Sequence, residues 1–160
     1  MARIYVSVGS NINPVDNIRS AVDALRQHFP VLDISTVYES QAVGFEGENF
    51  LNFVVGFDSE QALAELIQLL DDIEDQLQRD RSGPRFSART IDLDLLVYDD
   101  IIAPELNIPR DEISKNAFVL QPLAELAPGL VHPQLQISYA QLWHDFNHES
   151  QSLWPIPFEW

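Results

Sequence analysis

The order of the hydrophobic periodicities constrains this chain most, because it predicts a strand, a helix, two strands, a second helix and another strand in succession. The strands are predicted at residues 4–8, 31–39, 50–57 and 90–98, and the helices at residues 14–28 and 60–77. This β-α-β-β-α-β order is typical of the ferredoxin-like α+β sandwich. Two further helices are predicted at residues 118–126 and 139–146, and polar loops at residues 41–48 and 79–87.

Both long helices have the apolar spacing and the start signals of amphipathic helices. Asn13 is expected to cap the first, with Pro14 at its first position, and Ser59 to cap the second. The residues expected to face the core are Val15, Ile18, Val22 and Leu25 in the first helix and Leu63, Leu66, Ile67, Leu70 and Ile73 in the second. Gly9-Ser10-Asn11 is interpreted as a turn that ends the first strand. The aromatic tail at residues 154–160 is expected to dock on the domain.

Composition excludes several classes of protein. With 160 residues, 46% of them apolar, residues 1–160 are interpreted as one domain with its own core. The absence of cysteine excludes disulfides, zinc–thiolate sites and a thiol nucleophile. The formal net charge of -16 argues against general nucleic-acid binding, which needs a broad basic face. No apolar run is long enough for a signal peptide or a membrane span, so we expect a cytoplasmic protein without membrane association. Nothing in the sequence indicates an obligate protein partner.

The scarce positive charge of this acidic chain is concentrated in one segment. Four of its nine cations fall within residues 79–89, namely Arg79, Arg81, Arg85 and Arg89. Guanidinium groups bind phosphate oxygens through a rigid set of donors, and a loop containing Gly83-Pro84 can close over a ligand. The alternative is that these arginines only form weak surface ion pairs with the acidic helix before them.

Two carboxylates, Asp92 and Asp94, follow the arginines on a predicted strand. Residues two apart on a strand project from the same face with Cα atoms about 6.5 Å apart, which suits two Mg²⁺ ions that hold a phosphate chain. In isolation such a pair would be interpreted as solvated surface carboxylates. Next to the arginine segment, it favours a metal site for a polyphosphate and therefore nucleotide chemistry.

An aromatic group provides a second candidate site. Phe50 and Asn52 share a face of the third strand, and Phe118 opens a later helix. Aromatic residues at strand spacing most often belong to a core, but two rings and an amide could also sandwich a flat heterocycle. His144 and His148 have the spacing of one helix face, but no third metal ligand lies nearby in sequence, which favours an incidental role.

These residues resemble the signature of one family, the 6-hydroxymethyl-7,8-dihydropterin pyrophosphokinases of folate biosynthesis. The matching motifs are R-x-x-x-R-T-I-D-L-D-L-L at residues 85–96, V-G-S-N at 8–11, F-L-N at 50–52, R-x-R at 79–81, and F-V-L at 118–120 followed by P-L at 122–123. The resemblance implies the ferredoxin-like fold with additional helices and mobile loops. It also implies an enzyme that uses ATP and two Mg²⁺ ions to transfer pyrophosphate to the pterin hydroxymethyl group, releasing AMP.

The resemblance further implies a role for each matched residue. Asp92 and Asp94 would hold the metal ions, and the catalytic set would combine them with Arg79, Arg81 and Arg89. ATP would contact Glu74, Arg85, Arg89, Leu95, Arg110 and Lys115, and the pterin would contact Ser40, Val43, Phe50, Asn52 and Phe118.

Residues 105–116 depart from the family pattern. Arg110-Asp111 stands where relatives typically carry His-Tyr, and Glu105 and Asn116 replace two usual arginines, with Lys115 beside the second. Arg110 and Lys115 would then supply the replaced contacts. Two alternatives stay open, namely a paralog that binds pterin or nucleotide without efficient turnover and a transferase for another planar alcohol. A purely structural acidic protein would not explain the Arg–Asp segment.

Overall fold

The computed structural model describes residues 1–41, 49–78 and 91–160. Within these ranges the strands are β1 Ala2–Ser10, β2 Asp33–Ile34, β3 Val37–Ser40, β4 Phe50–Ser59, β5 Asp92–Tyr98 and β6 Trp154–Ile156. The helices are α1 Pro14–His28, α2 Leu63–Gln78, α3 Ala117–Leu126 and α4 Tyr139–Asp145. Two short 3-10 helices, Pro104–Leu106 and Asp111–Ser114, lie between β5 and α3.

The strands form one antiparallel sheet in the order β5-β1-β4-β3-β6, with β2 also pairing with β4. Apart from β6, this is the strand order of interleaved β-α-β units in ferredoxin-like folds. The predicted α+β ferredoxin-like sandwich with additional helices is therefore confirmed. Residues 42–48 and 79–90, which include most of the predicted loops, lie outside the described residues.

One face of the sheet packs against α1 and α2 and forms the main core. The strands contribute alternate residues to it, among them Ile4, Val6, Val8, Phe53, Val55, Phe57, Leu93 and Leu95. The helices contribute Ile18, Val22 and Leu25 from α1 and Leu66, Leu70 and Ile73 from α2. Their predicted stripes are thus largely confirmed. Val15 is the exception, since it lies in the first turn of α1 and is 42% exposed.

Among the described residues, helices cover only one half of the opposite face of the sheet. Tyr5, Val54 and Leu96 pack there beneath α3 and α4, together with apolar residues of those helices. Because side chains alternate along a strand, residues two or four positions away on the same strands continue the same face. They are Ser7 and Gly9 on β1, Asn52 on β4, and Asp92 and Asp94 on β5. This uncovered half is the floor of the candidate site.

Local hydrogen bonds explain where the strand boundaries differ from prediction. The predicted strand at residues 31–39 is divided into β2 and β3, because Ser35 Oγ accepts from Val54 N at 2.9 Å in place of a backbone carbonyl. The carboxylate of Glu125 also accepts a hydrogen bond from the backbone N–H of Thr36 at 2.9 Å.

Two other predicted boundaries were wrong. Ser59 is the last residue of β4, and α2 begins at Leu63, although Ser59 Oγ does accept from Gln61 N at 3.1 Å. The turn predicted at Gly9-Ser10-Asn11 is also wrong, since β1 continues through Ser10 and pairs with both β4 and β5.

The C-terminal segment adds a strand that the sequence did not reveal. β6 pairs with β3, with Glu39 opposite Trp154 and Val37 opposite Ile156. The tail docks on the domain as predicted, and the Trp160 ring lies 5.0 Å from that of Phe53. None of the helices among the described residues combines the length and the apolar character that a bilayer-spanning segment requires.

Candidate active site

A cavity of about 880 Å³ lies over the uncovered half of the sheet. Its floor comes from β1, β4 and β5, and its walls come from Ser40 and Gln41, from residues between 110 and 118, and from residues 150–152. A volume in this range is typical of a small-molecule or cofactor site. The strands supply a rigid floor, while the walls come from segments distant in sequence.

Asp92 and Asp94 both line this cavity. They lie opposite Gly9 and Ser7 of β1, and the Asp94 side chain is about one-third exposed at 34%. Among the described residues, no group of three or more His, Cys, Asp or Glu side chains is arranged to hold a metal ion. Two carboxylates beside a cavity nevertheless match Mg²⁺, which takes one or two protein carboxylates and leaves its other positions to phosphates and water.

Glu74 stands behind the aspartates rather than in the cavity lining. Its Oε2 accepts from the backbone N–H of Leu93 at 2.8 Å. Burial, together with the nearby charges of Asp92 and Asp94, raises the pKa of Glu74 to about 7, against the lowering effect of that hydrogen bond. The site therefore concentrates negative potential at the two aspartates, as a cation site requires.

Arg110 reaches Asp94 from the opposite wall. Its Nη2 lies 3.5 Å from Asp94 Oδ1, and its Nε lies 3.0 Å from Glu112 Oε1. Its backbone N–H donates to Leu96 O at 2.9 Å, which ties this wall to β5. The other carboxylate oxygen of Glu112 accepts from Asn116 Nδ2 at 3.2 Å. Arg110 is thus held in the cavity, next to the proposed metal ligands.

Sequence reasoning did not identify Glu112 as a residue of the site. The unusual segment at 105–116 was the available signal, because a carboxylate two residues after the unusual Arg110 can orient its guanidinium.

Besides Glu74, two more residues predicted to contact the nucleotide do not present their side chains to the cavity. Lys115 is 67% exposed, and its Nζ lies 3.2 Å from Asp111 Oδ2. Hydrogen bonds from Asn107 and Lys115 hold the pKa of Asp111 below its usual value. Leu95 is buried in the core against α1 and α2, because alternation along β5 turns it to the face opposite Asp94. Only its backbone can contribute on the cavity side.

The residues predicted to bind a flat ring meet in one place. Ser40, Phe50, Asn52 and Phe118 all line the cavity, although they come from β3, β4 and α3. Asn52 is 8% exposed, so its amide is largely shielded from bulk water. Phe53, by contrast, lies on the opposite face in the main core. Alternation along β4 therefore separates a cavity aromatic from a core aromatic.

Gly9 is a cavity residue that sequence reasoning missed. It sits between Asn52 of β4 and Asp92 of β5 in the sheet register. A Cβ at this position would lie 2.5 Å from Asn52 Oδ1. The available signal was a glycine within a strand pattern, which often marks a close approach by another group.

The wall at residues 150–152 was also missed. Gln151 Oε1 accepts from Ala117 N at 2.8 Å, and Gln151 Nε2 donates to Lys115 O at 2.7 Å. No local pattern marks such a contact, because it joins residues 34 and 36 positions apart.

Five predicted site residues lie outside the described residues. They are Val43, Arg79, Arg81, Arg85 and Arg89. Their roles stay predictions. Two lining residues are neighbours of these five in the sequence. Gln41 lies two positions before Val43, and Asp92 directly follows residues 79–91, which carry the four arginines.

Comparison with known proteins gives the chain its family. Residues 5–128 match the model of the family 7,8-dihydro-6-hydroxymethylpterin-pyrophosphokinase (HPPK). Three relatives are named 2-amino-4-hydroxy-6-hydroxymethyldihydropteridine pyrophosphokinase. The protein from Aquifex aeolicus is 35% identical over 137 residues, which cover 83% of this chain and 85% of the relative. That from Bacillus subtilis is 37% identical, covering 76% of each chain. That from Pseudomonas aeruginosa is 33% identical, covering 98% of this chain and 93% of the relative.

Solved structures agree on the fold. A Plasmodium falciparum HPPK-DHPS triple mutant superposes with a TM-score of 0.71 at 11% identity, covering 89% of this chain and 43% of that chain. A second HPPK-DHPS structure, in complex with substrates, gives a TM-score of 0.69 at 12% identity, covering 93% of this chain and 44% of that chain. The chain thus spans less than half the length of these structures, and at such low identity they support the fold alone. The family resemblance noted in the sequence is confirmed, and the chain belongs to the 7,8-dihydro-6-hydroxymethylpterin-pyrophosphokinase family.

Proposed function

We propose that this chain transfers pyrophosphate from ATP to the hydroxymethyl group of 6-hydroxymethyl-7,8-dihydropterin and releases AMP. One observation carries this proposal beyond family membership. Asn52, Gly9 and Asp92 lie side by side on three neighbouring strands, so the ring-binding end of the cavity adjoins the carboxylate end. With adjacent strands about 4.8 Å apart, the Cα atoms of Asn52 and Asp92 are separated by roughly 10 Å. That span suits a bicyclic ring placed next to a phosphate chain.

The ring end supplies recognition of the acceptor. Phe50 and Phe118 offer aromatic surfaces for stacking, and the shielded amide of Asn52 can donate to and accept from a heterocycle. Ser40, at the end of β3 opposite Phe50, provides further backbone and hydroxyl groups, and Val43 continues this segment. A planar acceptor held here would place its hydroxymethyl group toward Gly9 and the aspartates.

The carboxylate end needs cations before it can accept a polyphosphate. The described lining carries Asp92, Asp94 and Glu112 against a single cation among the described residues, Arg110. The sequence supplies the remaining charge in Arg79, Arg81, Arg85 and Arg89, directly before β5. Asp92 and Asp94 are the residues that would hold two Mg²⁺ ions, and these ions, when bound, would neutralise and orient the ATP phosphates.

In the proposed reaction, the hydroxymethyl oxygen forms a bond to the β-phosphorus of ATP and gives up its proton to water, while the bond from that phosphorus to the α,β-bridging oxygen breaks. The terminal two phosphates pass to the pterin, and AMP leaves with the bridging oxygen. Phe50, Asn52 and Phe118 hold the acceptor in line, and Arg110, Arg81 and Arg89 counter charge on the phosphates. Positioning and electrostatic stabilisation dominate such transfers.

The proposal treats residues 1–160 as one domain, because β6 near the C-terminal end joins the same sheet as β1. ATP and the dihydropterin are its proposed partners. The test is AMP formation by purified protein with ATP and Mg²⁺, with and without the dihydropterin. We expect sustained AMP formation only with the pterin. Folded protein that forms no AMP under these conditions would contradict the proposal.

A second candidate is a family member that binds its ligands without efficient turnover. Its specific support is Arg110, which stands 3.5 Å from Asp94 and so competes with a cation for that carboxylate. Calorimetry showing tight binding of both pterin and nucleotide, together with no AMP in the first test, would favour this candidate. Multiple turnovers would exclude it.

A further inference from the structure

The end of the chain contributes to the cavity although it lies beyond the family match. The match covers residues 5–128, whereas Ser150, Gln151 and Ser152 form one wall of the cavity. These three residues precede β6 by one residue, and β6 is fixed to the sheet by its pairing with β3. The wall is therefore anchored on its C-terminal side.

Gln151 anchors the same wall to α3 with both ends of its amide. Its Oε1 accepts from Ala117 N at 2.8 Å, and its Nε2 donates to Lys115 O at 2.7 Å. These two backbone groups flank Asn116, which occupies the N-cap position of α3 but makes no side-chain capping bond. The N–H groups in the first turn of a helix have no partner within that helix, so an acceptor from elsewhere in the chain stabilises this end. We call this pair of hydrogen bonds the Gln151 clamp.

The clamp acts on the residue just before the ring-binding site. Phe118 follows Ala117 directly and lines the cavity. Phe50, the other aromatic of the site, pairs with Ser40 of β3, and the neighbouring Glu39 pairs with Trp154 of β6. Residues 151–154 thus connect the start of α3 to the strand beside Phe50. Moving one end would change the separation of the two aromatic residues.

We propose that Gln151 is a positioning residue for the planar acceptor, because the clamp holds Phe118 in register with Phe50 across the cavity. This inference rests on the proposed function, since the acceptor in question is the dihydropterin. Gln151 acts through the backbone of residues 115–117. It serves affinity for the acceptor, while its two hydrogen bonds are made to neither β5 nor Arg110, which build the nucleotide end.

The first test compares Gln151→Met with the wild-type protein. Methionine keeps the length of the side chain but makes neither hydrogen bond. Calorimetry measures Mg²⁺–α,β-methylene-ATP binding alone and then dihydropterin binding in the presence of that nucleotide. We expect pterin affinity to fall about tenfold, as the loss of two neutral hydrogen bonds allows, while nucleotide affinity stays within about twofold.

A matched control comes from α4. Gln141 donates to the carboxylate of Asp145 on the same helix and does not line the cavity. Gln141→Met should leave both affinities unchanged. A melting temperature measured for each variant separates an effect on the site from a general loss of folding.

Amide hydrogen exchange tests the geometry independently of ligand binding. In Gln151→Met, exchange at the Ala117 amide should accelerate, because its acceptor is removed. Gln151→Glu keeps the acceptor for Ala117 N–H but loses the donor to Lys115 O. This variant should retain protection at Ala117 and show an intermediate pterin affinity.

The outcomes separate this inference from the proposed function. Unchanged pterin affinity in Gln151→Met, or an equal loss of pterin and nucleotide binding with a lowered melting temperature, would overturn the positioning role. A wild-type protein that binds the nucleotide but no dihydropterin would overturn the proposed function and the acceptor role of Gln151 with it. A selective loss of pterin affinity with faster exchange at Ala117 would support the inference.

Discussion

The sheet face opposite α1 and α2 has two halves: side chains of one half pack against helices, and side chains of the other half line the cavity. On the covered half, Tyr5, Val54 and Leu96 pack beneath α3 and α4. One or two pleats further along the same strands, Gly9, Asn52 and the aspartates face an open cavity. The pairing of β1 with β4 is continuous from one half to the other, and that of β1 with β5 continues after a register shift between Tyr5 and Val6. The site therefore lies on strands that are fixed by apolar packing at their other half. Binding groups carried by such rigid elements keep a more precise geometry than groups on loops.

This comparison makes a general point about where substitutions should act. Changes on the covered half should mainly alter the free energy of unfolding. Changes on the uncovered half should mainly alter binding and turnover. The following predictions test that division, beginning with the largest expected effect.

Replacing either aspartate should have the largest effect on turnover. Asp92→Ala or Asp94→Ala removes a proposed metal ligand from a half-buried position, so we expect AMP formation to fall by about 10³-fold or more while the fold is retained. Asp100→Ala, at an exposed position in the turn after β5, is the matched control and should keep full activity. Near wild-type turnover in either cavity variant would remove the metal-dyad assignment.

A side chain at Gly9 should weaken binding of the dihydropterin, as expected for a residue on the uncovered half. A Cβ would lie 2.5 Å from Asn52 Oδ1, so Gly9→Ala must displace that side chain. We expect dihydropterin affinity to fall about tenfold or more, with a destabilisation of about 1–3 kcal/mol from overpacking. Calorimetry and chemical denaturation measure the two effects.

Gly129→Ala is the matched control for this substitution, because among the described residues other than its chain neighbours no atom lies within 4 Å of the added Cβ. It should bind pterin like the wild-type protein. If Gly9→Ala also binds pterin with wild-type affinity, Asn52 does not recognise the acceptor.

Removing Glu125 should affect stability rather than turnover. Its carboxylate accepts from Thr36 N, Thr36 Oγ1 and Tyr38 Oη at 2.8–3.0 Å, joining α3 to the junction of β2 and β3. Glu125→Ala should lower the free energy of unfolding by about 1–3 kcal/mol, because these donors lose a charged acceptor. Chemical denaturation should show this loss, whereas Glu149→Ala, at an exposed position, should show none. If Glu125→Ala reduces AMP formation by more than the unfolded fraction of the protein explains, the proposed division is contradicted.

The smallest effect concerns the pH dependence of stability. His132 is buried, its Nδ1 accepts from Gln134 N and Leu135 N, and burial lowers the pKa of its imidazole. Below about pH 6.5 the unfolded chain binds a proton at this imidazole that the folded chain does not, so the contribution of His132 to stability should decrease as the pH falls through that value, by at most about 1.4 kcal/mol per pH unit. Glu74, whose pKa is raised to about 7, contributes a slope of the opposite sign over the same range, so the comparison is between wild type and variant.

Denaturation at several pH values between 7.5 and 5.5 measures this slope. His132→Asn offers an amide oxygen to the same N–H groups but does not titrate, so it should lose part of the slope. His144→Asn, at a side chain that is 81% exposed, should keep it. A His132 variant with the slope of the wild-type protein would contradict the assignment.

Features encoded by local periodicity could be predicted from the sequence. α1 occupies Pro14–His28 as its apolar spacing and Pro14 indicated. Alternation correctly places Phe50 with Asn52 on one face of β4 and Asp92 with Asp94 on one face of β5, and all four line the cavity. These results depend only on which direction successive side chains point, and that direction is fixed by the strand itself.

Features that depend on distant contacts could not be predicted. The division of the strand at residues 31–39 depends on the contact of Ser35 with Val54, 19 residues later, and of Thr36 with Glu125, 89 residues later. Gly9 was predicted to lie in a turn. In the structure a glycine is needed there because a Cβ would collide with the side chain of Asn52 on another strand. Gln151 reaches α3 across the cavity, and Lys115 turns to Asp111 rather than inward. Each of these outcomes requires knowing which elements meet.

The most direct test of the central claim follows the phosphates themselves by ³¹P NMR, with the wild-type protein, Mg²⁺, ATP and the dihydropterin. If the uncovered half of the sheet holds both substrates for pyrophosphate transfer, AMP and a diphosphate ester of the pterin should accumulate in equal amounts. ADP with a pterin monophosphate, or AMP formed equally without the pterin, would contradict the account.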